Sequence, residues 1–278
     1  MRALRFTERP SPNFDSRARQ VDLVVLHYTG MKDGETALAR LTDPAPVAGE
    51  YPGPWQDASI DPATPLGRAS AHYVVDVAGE IFRVVAEANR AWHAGASSWE
   101  GEEDVNSCAI GVELVNGGHD YGLPEFADAQ IEALIALLAD ILARHDLHPS
   151  RVLAHSDIAP ARKMDPGEKF PWKRLAQAGV SIWPEHLAMQ AQADIALVQR
   201  QLRNFGYGVD ETGALDDATR AALAAFQRRF RPARIDGIAD AETSMLLAAL
   251  ARNPSKKACP SPLVGEGGSP RSGETDEG

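Results

Sequence analysis

The chain has 278 residues, a formal net charge of -11 and a hydrophobic fraction of 44%. That length fits two domains of roughly 100–200 residues each, and it can bury a core without disulfide cross-links. The acidic charge disfavours nucleic acid or anionic lipid as partners, because both present phosphate groups. Cys108 and Cys259 are far apart in the sequence, which predicts one buried residue and one tail residue rather than a disulfide framework or a catalytic thiol.

The first residues, MRALRFTERPSPNF, lack the apolar stretch that is typical of secretory signal peptides. No apolar run reaches the roughly 18 residues that a membrane-spanning helix requires. We therefore expect no membrane span and a cytoplasmic location, with the periplasm or the cell envelope as the alternative.

Residues 1–180 combine strand-like and helix-like patterns. Short runs rich in Val, Leu and Ile predict buried strands at 21–28, 72–77, 80–85, 109–115 and 152–154. Gly79 separates two of these runs and predicts a hairpin. The proline-rich segment 43–68 predicts a long irregular loop, and the helical spacing of apolar residues over 126–145 predicts a helix. Together these patterns indicate an α/β domain.

Residues 190–252 predict a second, smaller unit made of helices. GALDDATRAALAAF at 213–226 aligns with GIADAETSMLLAAL at 237–250, and each segment has a Gly, an acidic residue, a Thr and an apolar helix. Such an internal repeat is typical of a module built from similar units. Residues 253–278 are rich in Pro, Gly, Ser and charged residues, which predicts a disordered tail.

Three candidate metal ligands lie at or beyond predicted strand ends. His27 ends the run VVLH, His155 follows the run VLA, and Asp165 belongs to the loop after it. Rigid scaffolds present functional groups at such places. Two imidazoles and one carboxylate make three protein ligands. A catalytic zinc site uses three and leaves its fourth position for water. By spacing alone, the alternative that these histidines are ordinary polar residues stays open.

Two further residues are candidates for catalysis. Glu113 lies in the apolar run IGVELV, where a carboxylate is costly to bury unless it is paired or used. It either faces solvent by strand alternation or acts as a general base. Lys163, two residues before Asp165, is either an ordinary surface lysine or a group that stabilises the oxyanion of a tetrahedral intermediate.

Four segments resemble the zinc-dependent N-acetylmuramoyl-L-alanine amidase family over about residues 20–175. In chain order they are VVLHYTG (24–30), AWHAG (91–95), NSCAIGVELVN (106–116) and HSDIAPARKMDPGEKFPW (155–172). The resemblance implies a mixed central sheet flanked by helices and one Zn2+ ion. Its one departure in the last motif is Ala154, where the family usually has Gly before the His.

The resemblance also implies a role for each candidate residue. It makes His27, His155 and Asp165 the zinc ligands, Glu113 the general base and Lys163 the oxyanion stabiliser.

His93 and Arg162 lie inside the matching motifs, and we expect them to help place the sugar or the stem peptide. Arg162 could pair with a peptide carboxylate. A structural His and a solvated Arg remain the alternatives for these two positions.

The second unit is similar to the peptidoglycan-binding module of cell-wall hydrolases, through residues 197–227 and 236–250. A helical packing or dimerisation domain is the alternative. We expect domains at 1–180 and 190–252, followed by the tail 253–278.

The predicted function is hydrolysis of the amide bond between N-acetylmuramoyl, or 1,6-anhydro-N-acetylmuramoyl, residues and the L-alanine of stem peptides in cell-wall turnover or recycling. The alternative is a non-catalytic peptidoglycan-recognition protein, a class that lacks a complete ligand set. The expected partners are peptidoglycan or muropeptide fragments, with no obligate protein partner. Every candidate residue precedes Ser181, so a chain ending there is expected to remain a complete and active catalytic domain.

Overall fold

The computed structural model describes residues 4–51, 59–184 and 194–251. Its strands are β1 (Thr7–Glu8), β2 (Phe14–Ser16), β3 (Leu23–Tyr28), β4 (Tyr73–Val75), β5 (Ile81–Arg83), β6 (Asn89–Ala91), β7 (Ala109–Leu114) and β8 (Val152–Ala154). Its helices are α1 (Gly34–Thr42), α2 (Val105–Cys108), α3 (Asp128–His145), α4 (His155–Ile158), α5 (Trp172–Gln177), α6 (Ile195–Phe205), α7 (Asp217–Phe230) and α8 (Ala241–Ala251).

Among the described strands, six form one central sheet in the order β1-β5-β4-β7-β3-β8. Strand β3 lies between β7 and β8 and runs parallel to both. Strand β4 is parallel to β7 but antiparallel to β5, so the sheet is mixed. Strands β2 and β6 form a separate antiparallel pair. The predicted fold class, an α/β domain with a mixed sheet followed by helices, is confirmed.

The local predictions agree with these elements. The hairpin predicted at Gly79 is formed by β4 and β5, and the helix predicted over 126–145 is α3. Helix α1 was not predicted; Asp33 begins it by accepting the backbone N–H of Thr36. Cys108 is buried as expected. The predicted tail, with Cys259, lies outside the described residues.

One face of the central sheet packs against α3. Side chains alternate between the two faces along a strand, so Val24 and Leu26 of β3 point to the same side. Both are fully buried, and they join a cluster with Leu134 and Leu138 of α3. The helical spacing therefore places the apolar residues of α3 on the side that packs against this face.

Around β3 and β8 the opposite face packs against residues 195–251, which contain the helices α6, α7 and α8 and which we call the helical module. Leu23 and Val25 of β3 share one buried cluster with Leu202 of α6 and Phe226 of α7. A chain ending near Ser181 would expose this face of the sheet to water, so the packing argues against the expectation that such a chain is a complete domain.

The internal repeat appears in the helical module as two equivalent buried glutamines. Gln199 receives the backbone N–H of Gly213 and donates to the side chain of Thr219, which lies in the first turn of α7. In the same way, Gln227 accepts the backbone N–H of Gly237 and donates to the side chain of Thr243, which lies in α8. Both glycines have positive φ angles of 71° and 66°, a conformation that glycine adopts without strain. The repeat is thus a structural unit of loop and helix.

Within the three described ranges, no helix combines the length and the hydrophobicity that crossing a bilayer requires.

Candidate active site

His27 and Glu113 reach the site from neighbouring strands. The two residues are paired in the register of the parallel strands β3 and β7, near the carboxyl ends of both. Neighbouring residues of paired strands project from the same side of a sheet. The fold thus brings together an imidazole and a carboxylate that are far apart in the sequence.

His155 and Asp165 come from the segment that follows β8. His155 is the first residue of α4, and the backbone N–H of Ser156 donates to the carbonyl oxygen of Asp165 at 3.0 Å. This bond joins the backbone directly after His155 to the backbone of Asp165. His27, His155 and Asp165 are only 1%, 4% and 5% exposed, respectively.

The three candidate ligands form a group that could hold a metal ion. One ligand atom from each of His27, His155 and Asp165 lies within 4.8 Å of the others. The two Nδ1 atoms are 2.9 Å apart, and Oδ2 of Asp165 is 3.1 and 3.0 Å from them. Three atoms that carry lone pairs converge here in a buried space, which a cation would stabilise.

The outer nitrogens of both imidazoles have their own partners. Nε2 of His155 donates to the carbonyl oxygen of Ala94 at 3.0 Å, and Nε2 of His27 lies 3.1 Å from Nδ1 of His93. A proton on each Nε2 leaves the Nδ1 lone pairs facing Asp165, which is how metal-binding histidines are commonly oriented. The segment AWHAG therefore supports the ligands rather than only lining the cleft.

Burial and neighbouring charges shift the pKa values of His27 and Asp165 toward the forms that bind a cation. Burial, followed by the nearby His155, lowers the pKa of His27 to about 4, so its imidazole is neutral. Burial raises the pKa of Asp165, but the combined influence of His155 and His27 is larger and lowers it well below its usual range. Neutral imidazoles and an ionised carboxylate are the states that a metal requires.

Glu113 has the environment of a general base. Its side chain is partly buried, and its Oε2 atom is enclosed with no hydrogen-bond partner among the described residues. Burial, reinforced by the charge of Asp165, raises the pKa of Glu113 well above its usual range. A raised carboxyl pKa brings proton exchange closer to neutral pH.

The candidate residues border one cavity of about 480 Å³. Its walls include His27, His93, Glu113, His155, Arg162, Lys163 and Asp165. Tyr28, Arg40 and Trp92 also line the cavity, and they were not singled out from the sequence. Lys163 is partly buried at this wall, and its catalytic role stays a prediction.

His93 and Arg162 border the cavity but also make structural contacts. Arg162 donates through Nη2 to the carbonyl oxygens of Ala94 and Ala96 at 2.7 and 2.8 Å. The ring of His93 lies against Gly111, where an added Cβ would come within 2.4 Å of it. These contacts hold the segment that supports the ligands, and a direct role in substrate placement stays a prediction for both residues.

Asn106 is a supporting residue that the sequence reasoning missed. Its buried Oδ1 accepts the backbone N–H groups of His93 and Ala94 at 3.0 and 2.9 Å. Its position inside the motif NSCAIGVELVN was the available signal, since the resemblance covered that motif as a whole.

Two protein-family models match the chain. Residues 17–168 match the family described as N-acetylmuramoyl-L-alanine amidase, and residues 191–247 match a peptidoglycan binding domain. The N-acetylmuramoyl-L-alanine amidase AmiD of Escherichia coli is 36% identical over 252 residues, which cover 83% of this chain and 82% of that protein.

Two solved structures are similar over both units of the chain. One is AmiD of E. coli in complex with the substrate anhydro-N-acetylmuramic acid-L-Ala-D-gamma-Glu-L-Lys, with a TM-score of 0.69 and 35% identity over 83% of this chain and 88% of that one. The other is AmpDh3 of Pseudomonas aeruginosa in complex with anhydromuramic pentapeptide, with a TM-score of 0.68 and 33% identity over 90% of this chain and 95% of that one.

These matches agree with the residues assembled in the cavity. The first family model spans more than half of the chain, and it includes every candidate ligand and catalytic residue. The chain belongs to the N-acetylmuramoyl-L-alanine amidase family.

Proposed function

We propose that the chain uses one zinc ion, held by His27, His155 and Asp165, to hydrolyse the amide bond between a muramoyl residue and L-alanine. The observation that carries this proposal is the buried group of three ligand atoms within 4.8 Å. Two imidazole nitrogens and a carboxylate oxygen are a common donor set for catalytic zinc.

The chain's own residues supply the proton transfers. A bound zinc ion provides Lewis acidity, which polarises the amide carbonyl and makes water reactive at neutral pH. Glu113 accepts a proton from the attacking water and returns it to the leaving amine of L-alanine, so the proton count balances. Lys163 donates an N–H to the oxygen of the amide carbonyl as negative charge develops there.

The substrate we propose is a muropeptide with either N-acetylmuramoyl or 1,6-anhydro-N-acetylmuramoyl at the cleaved bond. Support comes from the two relatives, both solved in complex with anhydromuramoyl peptides. The match of residues 191–247 to a peptidoglycan binding domain supports attachment to larger wall fragments. Rates on purified anhydro-muropeptides and on intact sacculi distinguish the two substrates, and fractionation of the native host tests the predicted cytoplasmic location.

His93 and Arg162 are proposed to contact the sugar or the stem peptide from the cavity wall, in addition to their structural contacts. Substitution of Arg162 by Lys keeps the charge and removes the paired donors. We expect a higher KM for a peptide that carries free carboxylates, measured against a peptide with those groups amidated.

Zinc content and activity of His155→Ala test the proposal. Purified wild-type protein should contain one zinc per chain, lose activity on chelation and regain it when zinc is added. His155→Ala should lose both zinc and activity. His148→Ala is a matched control, because His148 is exposed and its side chain bonds within its own turn to Ser150. Full activity of metal-free protein would refute the proposal.

A further inference from the structure

Asp157 supports the backbone from which His155 projects. It lies two residues after His155 in α4, is fully buried, and accepts the backbone N–H of Ala154 at its Oδ2 atom at 2.9 Å. Ala154 is the last residue of β8 and directly precedes His155. The Asp157 carboxylate therefore fixes the junction between strand and helix that aims His155 at the site.

The same carboxylate is bound by two side chains of the helical module. The hydroxyl of Tyr207 donates to Oδ1 of Asp157 at 2.6 Å, and Nη1 of Arg229 donates to Oδ2 at 2.6 Å. Nη2 of Arg229 also donates to the carbonyl oxygen of Val152 in β8 at 2.9 Å. The module thus holds both the strand before His155 and the helix after it.

This contact is buried enough to restrict geometry strongly. Tyr207 is 2% exposed, Arg229 is 1% exposed and Asp157 is not exposed. The guanidinium of Arg229 also lies 4.1 Å from the ring centroid of Trp172. A buried ion pair adds little net stability compared with apolar packing, but it tolerates only one arrangement of its hydrogen bonds.

We propose that Tyr207 and Arg229 are positioning residues for His155, acting through Asp157, so that the helical module is part of the metal site. This inference rests on the proposed role of His155 as a zinc ligand. Residues that orient a ligand commonly change metal affinity or activity by about 10–100-fold when they are removed. A module that only attached the enzyme to the cell wall would leave zinc affinity unchanged.

The test is the zinc dissociation constant of full-length Tyr207→Phe, measured by competition with a chelator. This change removes the hydroxyl and keeps the ring that packs against Trp99 and Phe205. We expect zinc binding about tenfold weaker or more and a lower kcat at unchanged KM on a soluble anhydro-muropeptide. The matched control is Phe205→Leu, which loosens the same interface without touching Asp157. It should lower the melting temperature and leave zinc affinity at the wild-type value.

Substitutions of Arg229 test the charged contact with Asp157. Arg229→Met would leave the buried carboxylate of Asp157 unpaired and is expected to unfold the protein. Arg229→Lys keeps the charge and loses the paired donors, so it should fold and bind zinc more weakly than wild type.

The inference is overturned if Tyr207→Phe and Arg229→Lys bind zinc as tightly as wild type, or if Phe205→Leu weakens zinc binding equally. His155→Ala in the same assay separates this inference from the proposed function. Retention of tightly bound zinc by His155→Ala would refute the ligand assignment itself. Loss of zinc from His155→Ala with wild-type affinity in both Tyr207→Phe and Arg229→Lys would refute only the positioning role.

Discussion

The two faces of the central sheet are covered in different ways. Helix α3 packs on Val24 and Leu26 of one face, and α5 adds Trp172 and Leu175 to the same cluster. The helical module covers the other face at β3, packed on Leu23 and Val25, although it begins at Ile195, far along the chain. Helix α1 covers the same face at β4. The second face is also the side from which His27 and Glu113 project, because they alternate in step with Leu23 and Ala109.

This comparison indicates that the boundary between the two family matches falls inside one shared buried cluster. The amidase match ends at residue 168 and the peptidoglycan binding match begins at 191, yet one buried cluster includes side chains from both. A strand with large apolar residues on both sides needs cover on both. In this chain the second unit supplies that cover.

On each face, a buried or partly buried carboxylate bonds to the helices that pack there. On the α3 side, Glu87 accepts hydrogen bonds from Arg144, His145 and Tyr73. On the module side, Asp157 accepts from Tyr207 and Arg229, which are fully enclosed. The first carboxylate is nearer the solvent than the second, because the side chain of Glu87 is 15% exposed and that of Asp157 is 0% exposed.

Removal of the helical module should have the largest effect. A chain ending at Ser181 exposes Leu23, Val25 and Leu153, each 1% exposed or less in the full chain. We expect it to lose cooperative thermal unfolding and to aggregate, since a large apolar surface favours association. Circular dichroism melting and size-exclusion chromatography measure this. A truncated chain that melts cooperatively and cleaves soluble muropeptides at the full-length rate would break the comparison.

Glu113→Gln should separate chemistry from packing. The proposed general base is replaced by an isosteric amide, so the rate should fall about 10²–10⁴-fold with zinc retained. Lys163→Ala should also retain zinc and fall about 10²–10³-fold. Steady-state kinetics and elemental analysis of the same samples give both values, and wild-type melting temperatures would show that neither face has changed. A near wild-type rate in Glu113→Gln would refute its assignment.

One Leu→Ala substitution in α3 and one in the helical module test whether the two regions unfold together as one core. Leu134 of α3 and Leu223 of α7 are each fully buried in their clusters. Substitution of either by Ala should lower the free energy of unfolding by about 2–5 kcal/mol, with a single transition in denaturant. Two separate transitions in Leu223→Ala would mean that the module unfolds by itself.

Local patterns predicted the elements but not how distant parts meet. Strands β3, β7 and β8 and helix α3 follow from apolar runs and helical spacing, and the motifs pointed to the cavity residues. The bond between His93 and His27 depends on tertiary contact across the sheet. The sequence around Asp157 and Arg229 contains no sign that they are partners, because 72 residues separate them.

Acid should lower the stability that Glu87 contributes on the α3 side of the sheet. Burial raises the pKa of this carboxyl, but hydrogen bonds from Arg144, His145 and Tyr73 outweigh it and lower the pKa from 4.5 to about 2. A depressed folded-state pKa stabilises the fold above pH 4.5, and this contribution is lost as the pH falls toward 2. Melting curves of wild type and Glu87→Gln should therefore converge as the pH falls. A difference in melting temperature that is the same at pH 7 and pH 3 would contradict this.

The most direct test of the central claim is a crystal structure of the zinc-loaded protein with anomalous data collected at the zinc absorption edge. The account predicts one strong anomalous peak per chain, bounded by Nδ1 of His27, Nδ1 of His155 and a carboxylate oxygen of Asp165. A fully active crystal batch with the peak at other residues, or with no peak, would contradict it.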